Sequence, residues 1–152
     1  MDQEDLVAAW DANNDVNQRL LALIPDDAFD LKPGRGKTVR SAFVHLVKVR
    51  GMWCEGVKGM PAFDFKPLNA KTAERQEIQA GLEESNRLMQ TLIRNRAGSP
   101  GRAKQPVLTF FAYCVAHEAY HRALIEQALR ENGRELADPD HYGLWEWQTP
   151  AH

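Results

Sequence analysis

The residues best equipped for chemistry lie in one stretch, Phe110 to Ala128, reading FFAYCVAHEAYHRALIEQA. It contains His117-Glu118-Ala119-Tyr120-His121, an H-E-x-x-H motif. On a helix, residues four apart stack on one face at about 100° per residue, so both imidazoles project the same way. Phe110, Cys114, Ile125 and Ala128 share that face, which is otherwise apolar. A buried imidazole with no hydrogen bond or ligand is costly, and one divalent transition metal satisfies two at once. The bland alternative is a pair of core histidines bonded to polar neighbours, since so short a motif also arises without a metal. The spacing and the apolar face favour the metal. Zinc and nickel both suit imidazole ligands, and nothing in the sequence separates them.

Glu118 is the candidate catalytic carboxylate. Its neighbours must be positioned by helices, and the 3.6-residue period is legible along the whole chain. A first helix is expected over about Glu4–Ile24, stopped by Pro25, with inward positions Leu6, Trp10, Asn13, Asn17, Leu20 and Ile24. Asparagine at an inward position marks either a polar network or a wet pocket, so Asn17 is a pocket candidate for a bound ligand. A loop over 25–37 leads to Thr38, a candidate N-cap for a second helix over about Val39–Lys58. Its apolar arc holds Val39, Phe43, Leu46, Val49, Trp53 and Val57. His45 flanks that arc. Alone it would read as structural, but beside an inward-facing histidine pair it becomes a candidate ligand. Arg50 falls within the arc and requires an acidic partner or a substrate anion. A Thr72-capped third helix is expected over about Ala73–Asn95, burying Ile78, Leu82, Met89 and Leu92. Phe63 and Phe65 in the preceding loop are expected to cover one end of the assembly. Pro106 opens the fourth helix and Asn132-Gly133 closes it. The tail, about 134–152, carries HYGLWEW; at least one of Trp145 and Trp147 should pack, and His141 and His152 should be solvated.

The 152 residues suffice for a single domain, 1–152, and four helices of this length make an all-α, four-helix bundle with a C-terminal tail. A net charge of −2 with interspersed signs offers no footprint for nucleic acid. No apolar run is long enough to span a bilayer, and the N-terminus is acidic where a signal peptide is basic. Cys54 and Cys114 stand far apart, without the spacing of a disulfide framework or a thiolate zinc site. A cytoplasmic location is therefore expected. Ala112, Ala116, Ala119 and Ala123 form a small-residue strip that permits close helix contact, inside one chain or across a two-fold axis.

A zinc-protease reading of H-E-x-x-H, with Glu118 as general base, is weakened on three counts. Leu124 and Gln127 stand where a metzincin extension has Gly and His. Glu135 and Glu146 are the glutamates left downstream for a third ligand, and no strand is available to hold an extended peptide. Three stretches point elsewhere: WDANNDVNQRLLALIPDD, KTVRSAFVHLVKVRGMW and VAHEAYHRALIEQALRENG. In order and spacing they resemble the DinB/YfiT-like (DinB family) superfamily of metal-binding four-helix bundles, over nearly the full chain. The resemblance implies a three-histidine metal site of His45, His117 and His121, with the third ligand upstream of the motif. Where the family's fourth helix often runs His-His-Arg-Gly-Gln-Ile, this chain has Tyr120, His121, Arg122, Ala123, Leu124 and Ile125. The ligands survive these departures; contacts to a shared substrate do not follow. The resemblance further implies a metal-dependent enzyme acting on a small molecule, as a thiol S-transferase using a low-molecular-weight thiol or as a hydrolase. It implies a homodimer as well. The alternative of another class is a stress-related metal-binding protein without turnover.

Overall fold

The computed structural model describes residues 2–63, 66–99 and 105–147. The described residues are helical, with no strand among them: α1 (Gln3–Leu23), α2 (Val39–Cys54), α3 (Arg75–Ala97), α4 (Val107–Glu131) and the short α5 (Asp138–Gly143). Each long helix starts and stops for a local reason. The Asp2 carboxylate accepts from the Glu4 amide at the start of α1. Thr38 caps α2 through the Ser41 amide, as its position in the sequence suggests. α2 ends four residues earlier than its apolar period, because Gly56 takes a left-handed φ of 69° that closes the turn. The start of α3 falls at Glu74 rather than Thr72. There Glu74 and Glu77 form a reciprocal capping box, and the Glu74 amide donates to the Glu77 carboxylate at 2.7 Å. α4 runs from just after Pro106 to Asn132, and Gly133, at φ 70°, turns the chain so that the Arg134 amide donates to the Leu129 carbonyl.

α1 and α2 pack chiefly on α3, and α4 closes against α2, α1 and α3. The apolar core is in two pieces. One gathers Leu20, Phe43, Leu46, Leu82, Ile125 and Leu129. The other gathers Trp10, Met89, Leu92, Ile93, Phe110 and Cys114. Between them every long helix contributes a buried polar residue: Asn13, Asn14 and Asn17 from α1, Arg50 from α2, Ser85 from α3, Glu118 and Arg122 from α4. The functional motif of α4 sits at the level of this polar layer.

The tail folds back as a strap. Leu144 is its anchor, buried in the first core piece, while Trp145 is 74 % exposed. Trp147 lies with its ring 6.0 Å from the Arg122 guanidinium. Arg19 holds the strap by donating to the Gly143 and Glu146 carbonyls. His141, expected to be solvated, instead lies 2.6 Å from a Glu126 oxygen, because α5 brings the two side chains together. His152 and Phe65 fall outside the described residues; Phe63 is packed against the second core piece.

Candidate metal centre

α4 has to satisfy two polar constellations at once, because successive residues of H-E-x-x-H point about 100° apart. His117 and His121 face the seam with α2, and Glu118 points between α1 and α2. Across the seam His45 approaches both: ring centroids are 4.5 Å apart for His45 and His121, 4.6 Å for His117 and His121, and 5.4 Å for His45 and His117. One ring nitrogen from each of the three lies within 4.8 Å of the others. This is the group of His, Cys, Asp and Glu side chains that could hold a metal among the described residues. The Nδ1 atoms of His117 and His121 are buried and have no hydrogen-bond partner. Buried polar atoms in folded proteins are nearly always satisfied, so two orphaned nitrogens in a cluster of three imidazoles fit a bound cation.

Electrostatics keep the rings in the coordinating form. Burial pushes the pKa of all three below the ordinary histidine value. At His121, burial, the other two imidazoles and Lys37 bring it down to about 4. At His45, Lys37, His117 and Lys48 add to burial. Neutral imidazole is the metal ligand, so the site is set up for coordination over ordinary pH. Aromatic side chains rim it. Trp53 stands edge-on to His117 at 5.3 Å, Tyr113 stacks beside the same ring at 6.3 Å, and Tyr120 is edge-on to His121 at 5.3 Å. Tyr113 and Tyr120 are both more than half exposed. Their positions, four before His117 and one before His121, place them on the histidine flank of the helix, a signal readable from spacing alone.

Glu118 is elsewhere. Its side chain is fully buried and accepts from Arg50 through both oxygens, at 2.6 and 2.9 Å. The amides of Asn13 and Asn17 each donate to Oε2 at 2.7 Å. Burial by itself would raise the Glu118 pKa; the Arg50 charge and these donors outweigh it and hold the carboxyl below its usual range. The network continues in both directions. Arg122 donates to the Asn13 and Asn17 side-chain oxygens at 2.8 Å, and Arg50 donates to Asn14, Ser85 and the Leu82 carbonyl. So the acidic partner that Arg50 requires is Glu118, and Asn17 lies inside a packed network rather than on a pocket wall. A general base must be within reach of the proton it takes, and the Glu118 carboxylate is fully buried, with one donor on Oε1 and three on Oε2. Glu135 pairs with Arg130, His141 with Glu126, and neither joins the histidines.

A cavity of about 820 Å³ opens between α2 and the segment after it, lined by Val47, Lys48, Met52, Val57, Met60 and Phe63 among others. No histidine lines it. Both cysteines are buried and unpaired, and burial pushes Cys54 up to about 11 and Cys114 higher still.

An all-helical protein with a three-histidine cluster between its second and fourth helices is the class that fold and site define. The chain belongs to the DinB family: the model of that family matches residues 1–151. No curated protein and no solved structure gives a significant match.

Proposed function

We propose that the protein is a metal-dependent enzyme acting on a small molecule, a thiol S-transferase or hydrolase built on a four-helix bundle of the DinB/YfiT-like type. One observation carries the reading: three imidazoles from two helices converge with two buried nitrogens left unpartnered. His45, His117 and His121 would hold a zinc or nickel ion. Such an ion, held by neutral imidazoles, supplies Lewis acidity and lowers the pKa of a bound water or thiol. The chain's own groups do the rest. Burial favours the neutral imidazoles, and Trp53, Tyr113 and Tyr120 rim the site. Glu118 fixes the rotation of α4 so that both of its histidines face α2; we read it as a positioning residue, not a general base. That reading removes the main support for a protease. With Cys54 and Cys114 held as buried thiols, a sulfur nucleophile would have to come from a small-molecule thiol.

The protein should carry about one equivalent of zinc or nickel in native mass spectrometry with elemental analysis, and turn over thiol and electrophile pairs when loaded. Metal without turnover on any pair would favour a binding protein instead. We also propose a homodimer through α4, because Ala112, Ala116, Ala119 and Ala123 are all exposed in the single chain, which leaves internal packing without a role for them. Light scattering that shows a monomer at high micromolar concentration would remove that proposal. No helix among the described residues is long and apolar enough to cross a membrane; a cytoplasmic setting remains part of the proposal.

A further inference from the structure

The polar layer leaves one charge over. It holds two guanidinium groups, Arg50 and Arg122, against one carboxylate, Glu118. Arg50 claims both oxygens of Glu118, and Arg122 makes no ion pair among the described residues. Glu126, four residues on and a natural helical partner for Arg122, lies instead 2.6 Å from His141 Nδ1 on the strap. Arg122 is buried all the same, only 7 % exposed. Its Nη1 donates to the Asn13 and Asn17 oxygens at 2.8 Å, while Nε and Nη2 have no hydrogen-bond partner among the described residues. A buried guanidinium with donors to spare and no counter-ion is costly, and buried charges in proteins are ordinarily paired.

Arg122 lines a cavity of about 170 Å³ that lies between α1, α4 and the strap. Apart from Glu126, the remaining wall is apolar or aromatic: Ala119, Ala123 and Leu144, with Trp145 and Trp147 on the strap side. The Trp147 ring stands 6.0 Å from the guanidinium, so an aromatic face adjoins the charge. At about 30 Å³ per water the space holds roughly six waters, enough for a small organic acid and too little for a nucleotide. None of the three clustered histidines borders it.

We infer that this cavity is a binding site for a small monocarboxylate with an apolar body. The carboxylate accepts from Nε and Nη2 of Arg122, and the body lies against the indoles of Trp145 and Trp147. One leftover positive charge calls for one negative charge, and the planar guanidinium edge matches a carboxylate through two parallel bonds. Apolar walls would leave the further charges of a polyanion unsolvated. The site needs no metal. Its outer wall is the strap, fixed by buried Leu144 and by the Arg19 bonds to the Gly143 and Glu146 carbonyls.

The test titrates benzoate and its neutral counterpart benzyl alcohol into the full chain, followed by ligand-observed NMR. Protein is kept at low micromolar concentration, because Ala119 and Ala123 also belong to the strip proposed for a second copy. Benzoate should bind saturably, and benzyl alcohol about tenfold more weakly. Arg122→Lys keeps the charge but not the fork, and should weaken benzoate about tenfold. That change also touches the asparagines, so Ala123→Leu is the second variant: it fills the cavity from an exposed position outside the polar network. It should abolish benzoate binding while circular dichroism and urea stability stay at the wild-type level. His45→Ala should bind benzoate as the wild type does, which separates this site from any metal at the histidines. The assignment is overturned by no saturable binding to the wild type, by equal affinity for the alcohol, by undiminished binding to a folded Ala123→Leu protein, or by loss of binding in His45→Ala.

Discussion

α4 presents two polar groupings side by side, and they differ in how complete they are. In the Arg50–Glu118 layer, both carboxylate oxygens and the side-chain oxygens of Asn13, Asn14 and Asn17 have partners drawn from α1, α2 and α4, and Arg50 ties in α3 through Leu82 and Ser85. In the histidine cluster a third of a turn away, the Nδ1 atoms of His117 and His121 have none. The first grouping is closed and its bonds go into holding helices together. The second is open and its unmet bonding is available to something from outside. Satisfaction of hydrogen bonds thus separates the part of the motif that builds the fold from the part that can work.

The comparison breaks most visibly at the third imidazole. His45→Ala should empty the site on dialysis, with metal occupancy falling from near one to near zero by elemental analysis, while circular dichroism stays helical. His141→Ala and Glu146→Ala should keep the metal. If the His45 variant retains full occupancy, the centre lies elsewhere. The closed grouping should respond in the opposite sense. Glu118→Gln is expected to retain metal but to lose about 3 kcal/mol in urea unfolding, since it leaves Arg50 and Arg122 buried without their counter-charge. A variant as stable as wild type that has lost its metal would reverse the two roles. Stripping the metal with a strong chelator should lower the thermal midpoint, because it removes a stabilisation set by occupancy, about 2.7 kcal/mol when free metal stands at a hundred times Kd.

Acid sharpens the contrast further. His121 is held near pKa 4 in the folded chain, against about 6.5 for a free histidine. The unfolded chain therefore takes up a proton that the folded chain refuses, and metal-free protein should lose stability as pH falls through that window. The metal should leave as the rings protonate, which a pH series of native mass spectra would follow. Glu118 keeps its charge below the usual carboxylate range, so the closed layer should outlast the open one. The smallest effect belongs to the strap: the Glu126 pairing of His141 is partly exposed, and His141→Ala should cost under about 1 kcal/mol by thermal unfolding.

Much of this was legible in the chain. The helical period located all four long helices, and the caps at Thr38 and Gly133 follow from residue type alone. The histidine pair announces its own face, and His45 joins it first as a candidate from its place on the flank of the second helix's apolar arc, then through the resemblance of three stretches. Other features escaped because they depend on partners distant in sequence. Asn13 and Asn17 stood out as polar residues at inward positions, yet whether they line a pocket or a network is decided by Glu118, about a hundred residues away. Arg50 demanded a partner, and the sequence could not choose it. The motif carries two signals at once: Glu118 looks catalytic because it stands between two ligands, but a rotation of about 100° from His117 turns its carboxylate into the Arg50 network.

The interlocked charges of the closed layer also constrain how relatives of this chain can diverge. Losing Glu118 alone strands two guanidinium groups, and losing Arg50 alone strands a carboxylate, whereas replacing the set together with apolar residues of matched volume is nearly free. Drift should therefore pass through these positions jointly or not at all. An alignment of the family should show Arg50, Glu118 and Arg122 varying as a correlated block, with Asn13 and Asn17 following them, while the three histidines vary on an independent schedule set by the metal.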